Sequence, residues 1–172
     1  METRNVGSFE AKSRVSYEIP VEIHLIKLLE IFDKNNIFFK EHNADYLSDE
    51  SLKWHPRLGI HAANVAPEFG VAETLCLLNL LKSNNLKKEM NHFIELAVES
   101  KKWIKWVIDE KKLSDLQKSI ICGHYIFNKP EVIEIKNKLD YFLNKKKLNL
   151  NNLLKDVLKV SITRYLKNFE LI

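Results

Sequence analysis

The chain has 172 residues, 45% hydrophobic and 29% charged, which suits a globular core and argues against intrinsic disorder. No apolar run approaches the roughly 20 residues that span a bilayer. The N-terminal METRNVGSFEAKSR has no apolar core after its charges, so it does not read as a signal peptide, and a soluble, cytoplasmic protein is expected. The net charge of +4 is uneven: residues 1–81 carry 8 Lys/Arg against 12 Asp/Glu, and residues 82–172 carry 19 against 11. This asymmetry marks two differently built halves.

In chain order, residues 5–20 are polar and broken by Gly7 and Pro20, and read as a strand end or loop. The spacing of Ile23, Ile26, Leu29 and Ile31 predicts a helix over Val21 to Phe32. The run IFFK (37–40) is too short for a helix and rich in aromatic and β-branched residues, so it reads as a buried strand. A short helix over 46–54 ending near His55 and Pro56, and a second buried strand over 58–65, follow. Pro67 suits a first helical turn and Glu68 its positive end, opening a helix to about Ser83. Helix and strand thus alternate over 20–83, which implies a parallel sheet covered by helices.

Beyond Asn84 the rhythm is helical throughout, with helices over 114–127, 130–144 and 151–169. The chain therefore divides into an α/β part, 1–83, and an all-helical part, 84–172. Cys76 and Cys122 lie among apolar neighbours and read as reduced and structural. Trp103 and Trp106, spaced to share a helical face beside Lys101, Lys102 and Lys105, read as core anchors in preference to base-stacking platforms. No nucleic-acid recognition motif appears, and no GxGxxG or P-loop. His124 reads as a core-packing residue.

Functional residues in parallel α/β folds collect past the C-terminal ends of the strands. After the first strand come Glu41, His42, Asn43 and Asp45; after the second come His61, Asn64, Glu68 and Glu73. His42 is placed to ligate a metal or act as a general acid–base; the alternative is a histidine bonded to a neighbouring carboxylate. Asn43, Asp45 and Asn64 are also ordinary helix-capping residues, and Glu68 an ordinary partner of a helix dipole. Lys40 and Arg57 are the nearest cations for a phosphate, and Arg57 has the better fork geometry.

The segment EHNADYLSDESLKWHPRLGIHAANVAPEFGVAETLCLLNLL resembles the last two strand–helix units of the class II tagatose-bisphosphate aldolase accessory-subunit family. EHNADY matches its His-containing strand end followed by Asp-Tyr, and NVAPEFGVAE matches its Val-x-Pro-type turn into a helix. GHYIFNKPEV fits the family's C-terminal helices more loosely. The resemblance implies C-terminal strand–helix units of a TIM-type (β/α)8 barrel with a helical extension. It also implies a carbohydrate-metabolism protein that acts as, or with, a lyase cleaving ketose bisphosphates, the accessory subunit being non-catalytic. On it, His42 and Asn64 stand as catalytic candidates, Asn43, Asp45, Arg57 and Glu68 as substrate contacts, and His42 as a ligand of a divalent metal such as zinc.

A whole barrel takes about 250 residues. The expected partners are therefore a sugar phosphate and a protein, either a catalytic aldolase subunit or whatever supplies the remaining strands. The alternative is a non-enzymatic helical module or degenerate fragment that completes a partner's barrel. Nucleic acid and membrane are not expected partners.

Overall fold

A computed structural model of the chain describes residues 5–6, 9–10, 21–42, 44–107 and 112–172. Strand β1 (Asn5–Val6) pairs antiparallel with β2 (Phe9–Glu10), and the rest of the segment read as a loop over 5–20 lies outside the described residues. Helix α1 (Val21–Lys34) ends with Asn36 at φ 52°, a left-handed turn that asparagine tolerates. Strand β3 (Phe39–Glu41) pairs in parallel with β4 (Ile60–Ala63), and helix α2 (Asp49–Arg57) connects them. A connection of this length is what a parallel pair requires.

Local chemistry accounts for the boundaries. Ser48 caps α2 by accepting from the Ser51 N–H at 3.1 Å, and Asp49 and Glu50 face the positive end of the dipole. The helix runs one turn further than Trp54, through Pro56, and Gly59 at φ +73° turns the chain into β4. Helix α3 (Pro67–Ser83) opens with proline in its first turn, where the missing N–H costs nothing.

The remainder is helical: α4 (Lys87–Glu99), α5 (Asp115–Cys122), α6 (Pro130–Asn144) and α7 (Leu150–Asn168). Ser114 and Gln117 form a reciprocal capping box at α5, and Asn149 caps α7 by accepting from Asn152 N–H at 3.1 Å. The helical rhythm over 84–110 breaks at Ser100. Trp103 and Trp106 therefore lie in a turn and a short 3-10 segment (Ile104–Trp106), not on one α-helical face. Trp103 is nonetheless buried and donates from its indole to Val98 O at 3.0 Å. One apolar core joins Leu77, Leu81, Phe93, Ile121, Val132, Leu139 and Leu154 from α3 to α7. Cys122 is buried and Cys76 half-buried, both as free thiols.

The class is thus mostly helical α/β, with seven α-helices and one parallel strand pair among the described residues. The described strands do not close into a barrel: closure would need each strand paired on both sides, and β3 and β4 pair only with each other there. Around this short sheet Ile26, Leu28, Ile31, Ile37 and Phe38 stay exposed, Phe38 at 82%. No helix among the described residues is long and apolar enough to cross a membrane.

His124 packs as the sequence predicts, with its ring against the backbone of Gly70 in α3. A Cβ added at Gly70 would lie 2.4 Å from that ring. Burial and the charges of Lys105 and Lys102 bring the imidazole down to about 4, so it packs as a neutral ring. Gly70→Ala gains helix propensity yet loses this close approach. The clash wins, and we expect a loss of about 1–3 kcal/mol by urea denaturation, largely recovered in the double variant with His124→Ala.

Candidate functional site

The parallel pairing sets the site. Side chains at matching heights on β3 and β4 emerge together where the strands end, so His42 and Asn64 meet although 22 residues apart in sequence. Asn64 Nδ2 lies 3.1 Å from His42 Nδ1. With the amide donating, the proton of this exposed imidazole sits on Nε2. The backbone ties the same strand ends: Asn64 N–H donates to Glu41 O at 3.1 Å, and Ala44 N–H donates to Asn64 O at 2.8 Å.

Asp45 lies directly beneath. It is 2% exposed, and its Oδ1 accepts from Ala66 N–H at 3.0 Å and from Glu68 N–H at 2.8 Å. Ala66 offers no side-chain cap of its own to α3, so Asp45 supplies the cap across the strand ends. Burial raises the Asp45 carboxyl above the usual range, opposed by these two N–H donors. Its Oδ2 has no hydrogen-bond partner among the described residues. His42, Asp45, Asn64, Val65 and Ala66 border a pocket of about 280 Å³ at this point.

Glu68 faces inward from the first turn of α3 and is fully engaged. Its Oε2 accepts from Tyr46 N–H and from the Tyr165 hydroxyl, and its Oε1 from Arg164 at 3.3 Å. Arg164 also donates to Asp49 Oδ1 at 2.7 Å and to Leu47 O. The Tyr165 hydroxyl lies 3.2 Å from Ala44 O as well, and burial with the neighbouring Glu68 raises it well above the ordinary phenol. Two adjacent residues of α7 therefore clamp the 44–49 loop and the start of α3.

A second buried pair braces the sheet from the helix side. His55 of α2 bonds through Nε2 to Glu41 Oε2 of β3, and its Nδ1 donates to Ser51 O at 3.0 Å. Desolvation alone would lower the imidazole, but the Glu41 bond and the Ser51 carbonyl outweigh it and raise it above 6.5.

Of the sequence candidates, His42, Asp45 and Asn64 come together at the pocket, and Glu68 stands behind them as part of the clamp. Asn43 lies outside the described residues. Arg57 is at the C-terminal end of α2, hence beside the start of β4 and at the opposite end of the sheet, where it lies over the Trp54 ring. A phosphate at the strand ends is therefore out of its reach. His61 is drawn into the sheet instead, its Nδ1 accepting from Phe39 N–H at 3.2 Å. Glu73 is half-buried further along α3, with its carboxyl raised by burial, and does not line the pocket.

A divalent metal at His42 fits these residues poorly. No group of three metal-capable side chains occurs among the described residues. Residues that sequence reasoning did not single out are His55, Arg164 and Tyr165. The available signal was the adjacent Arg-Tyr pair in the helical stretch ITRYLKNF.

No protein-family model matches the chain, and no curated protein or solved structure matches it.

Two outcomes follow from this geometry. Tyr165→Phe removes a buried hydroxyl from Glu68 and Ala44 and is expected to cost about 1–3 kcal/mol, with faster proteolysis in the 42–48 segment as the local readout. For His55, the folded form binds its proton more tightly than the unfolded chain does. The stabilisation is complete below pH 6.5 and is lost as pH rises through the raised folded value. Denaturation midpoints of the wild type should fall over that window, while those of His55→Gln should stay flat.

Proposed function

We propose that this chain is a ketose-bisphosphate aldolase-type accessory protein of carbohydrate metabolism, carrying part of a sugar-phosphate site at the ends of two barrel-type strands. The observation that carries the reading is the His42–Asn64 hydrogen bond across the ends of a parallel strand pair, above the buried Asp45. Polar side chains gathered at that end of a parallel sheet are the usual setting for substrate. The resemblance of EHNADY and NVAPEFGVAE to the tagatose-bisphosphate aldolase accessory family falls on this same geometry.

In this reading His42 offers Nε2–H to a substrate oxygen and Asn64 orients the ring. No chemical step is assigned to the chain alone, in keeping with a non-catalytic subunit. A divalent metal would need ligands from beyond the described residues. The exposed apolar side chains around β3, β4 and α1 support a protein partner that contributes further strands. So does an apolar groove of about 600 Å³ between β4 and α7, lined by Ala62, Val65, Phe69, Ile162 and Phe169.

The test is calorimetric titration of the purified chain with a ketose bisphosphate. Saturable binding is expected, weakened at least tenfold by His42→Ala, a change on an exposed side chain that leaves the fold intact. Absence of binding, both alone and with a catalytic aldolase subunit added, would overturn the reading.

A further inference from the structure

All four residues of β4, Ile60, His61, Ala62 and Ala63, line the groove of about 600 Å³ between β4 and α7, and no residue of β3 does. Neighbouring strand residues point their side chains to opposite faces. A groove that touches all four therefore runs along the edge of the strand and not across one face. The edge turned to β3 is in use: Asn64 N–H donates to Glu41 O at 3.1 Å. Backbone groups alternate between the two edges of a strand, so Ala63 directs its N–H and C=O away from β3. His61 falls where the register shifts between Phe39 and Lys40 and has no partner in the ladder. Among the described residues β4 pairs with no other strand than β3, and His61 and Ala62 are exposed, so this edge is open to solvent.

The wall facing this edge is apolar. Ile162 and Leu166 of α7 and its capping residue Phe169 line it, and no lysine, arginine, aspartate or glutamate among the described residues does. A charged side chain buried there would be uncompensated, so the wall selects uncharged ones. A compact apolar molecule would satisfy the wall and leave the strand edge unmet, whereas an extended chain satisfies both. We propose that the free edge of β4 is the docking site for one extended, uncharged segment of a partner protein, which adds to the sheet beside β4 and packs alternate apolar side chains on Ile162, Leu166 and Phe169. The proposal rests on the reading that a partner supplies strands, and it names where that strand enters and what chemistry it carries. The four residues of β4 span about 13 Å, which matches a segment of similar length. Ile162 and Leu171, both on the groove, stay 41% and 66% exposed and await such a cover.

The full chain is titrated with the end-blocked peptide Thr-Val-Thr-Val-Thr while the amide signals of Ala63 and Asn64 are followed by NMR. The Ala63 signal should move saturably and its hydrogen exchange slow at least tenfold. Asn64, already bonded to Glu41, should change far less. Two further peptides are N-methylated, one on both valines and one on all three threonines, which strips the donors from one edge of the peptide or the other. At least one of them should bind at least tenfold more weakly. Ile162→Asp sets a charge in the wall at an exposed position, so it should stay folded by the same spectra and weaken the parent peptide at least tenfold.

The inference is overturned if the parent peptide leaves Ala63 unmoved, or if the folded Ile162→Asp chain binds it as the wild type does. It is also overturned if both methylated peptides bind like the parent, since the groove then takes apolar side chains alone. An Ala63 amide already protected in the chain by itself, and released on dilution, assigns the edge to a second copy and overturns it as well. A ketose bisphosphate that binds while the peptide leaves Ala63 unmoved sinks this inference alone. Peptide binding with no response to any ketose bisphosphate supports the edge and sinks the sugar-phosphate reading instead.

Discussion

The grip of one carboxylate on one helix start organises the first half of this protein. Helix α3 begins at Pro67 with Ala66 before it, so its leading N–H groups have no local acceptor. Asp45 comes from the end of a strand more than twenty residues earlier and accepts two of them. Buried amide donors left unmet are costly, so this bond fixes β3, β4 and α3 relative to one another. The His42–Asn64 contact depends on it, since both residues hang from the strand ends that Asp45 holds together.

The second constraint comes from the far end of the chain. Arg164 and Tyr165 reach from α7 to Glu68, Asp49 and the 44–47 backbone. The charge of Glu68 is neutralised by a cation whose other donors are also used, which is how a half-buried carboxylate is tolerated. The helical part thus serves the strand-end pocket by immobilising its floor. A second brace, His55 bonded to Glu41 within one β-α unit, sits beside the same helix, its ring 5.2 Å from that of Phe169.

What could be read along the sequence was local chemistry. Pro67 and Pro130 announce their helices because proline and capping groups act over three or four residues, whereas IFFK and LGIHAANV announce strands but not buried ones: β3 spans only Phe39–Glu41 and β4 only Ile60–Ala63, and Ile37 and Phe38 stay exposed. The helix start at Pro130 and the span Pro67–Ser83 were legible for that reason. The break after Glu99 was not: the apolar spacing of Trp103 and Trp106 continues a helical rhythm that the backbone abandons at Ser100, where the Ser100 hydroxyl donates to Ala97 O. A burial pattern alone does not say whether a turn or a helix delivers a tryptophan to the core.

The sequence by itself determined that His42, Asp45, Asn64 and Glu68 stand at the ends of predicted strands, because strand ends and helix starts are encoded by neighbouring residues. Only the tertiary structure decided what each of them touches. Asp45 reads locally as a cap for the helix that follows it, yet it caps a different helix. Glu68 reads as a dipole partner, yet it is held by Tyr165 and Arg164. Arg57 reads as a phosphate contact, yet the direction of α2 carries it to the other end of the sheet. These outcomes depend on pairs separated by 20 to 100 residues, and the geometry that unites them is set by packing and strand register, which no short stretch of sequence contains.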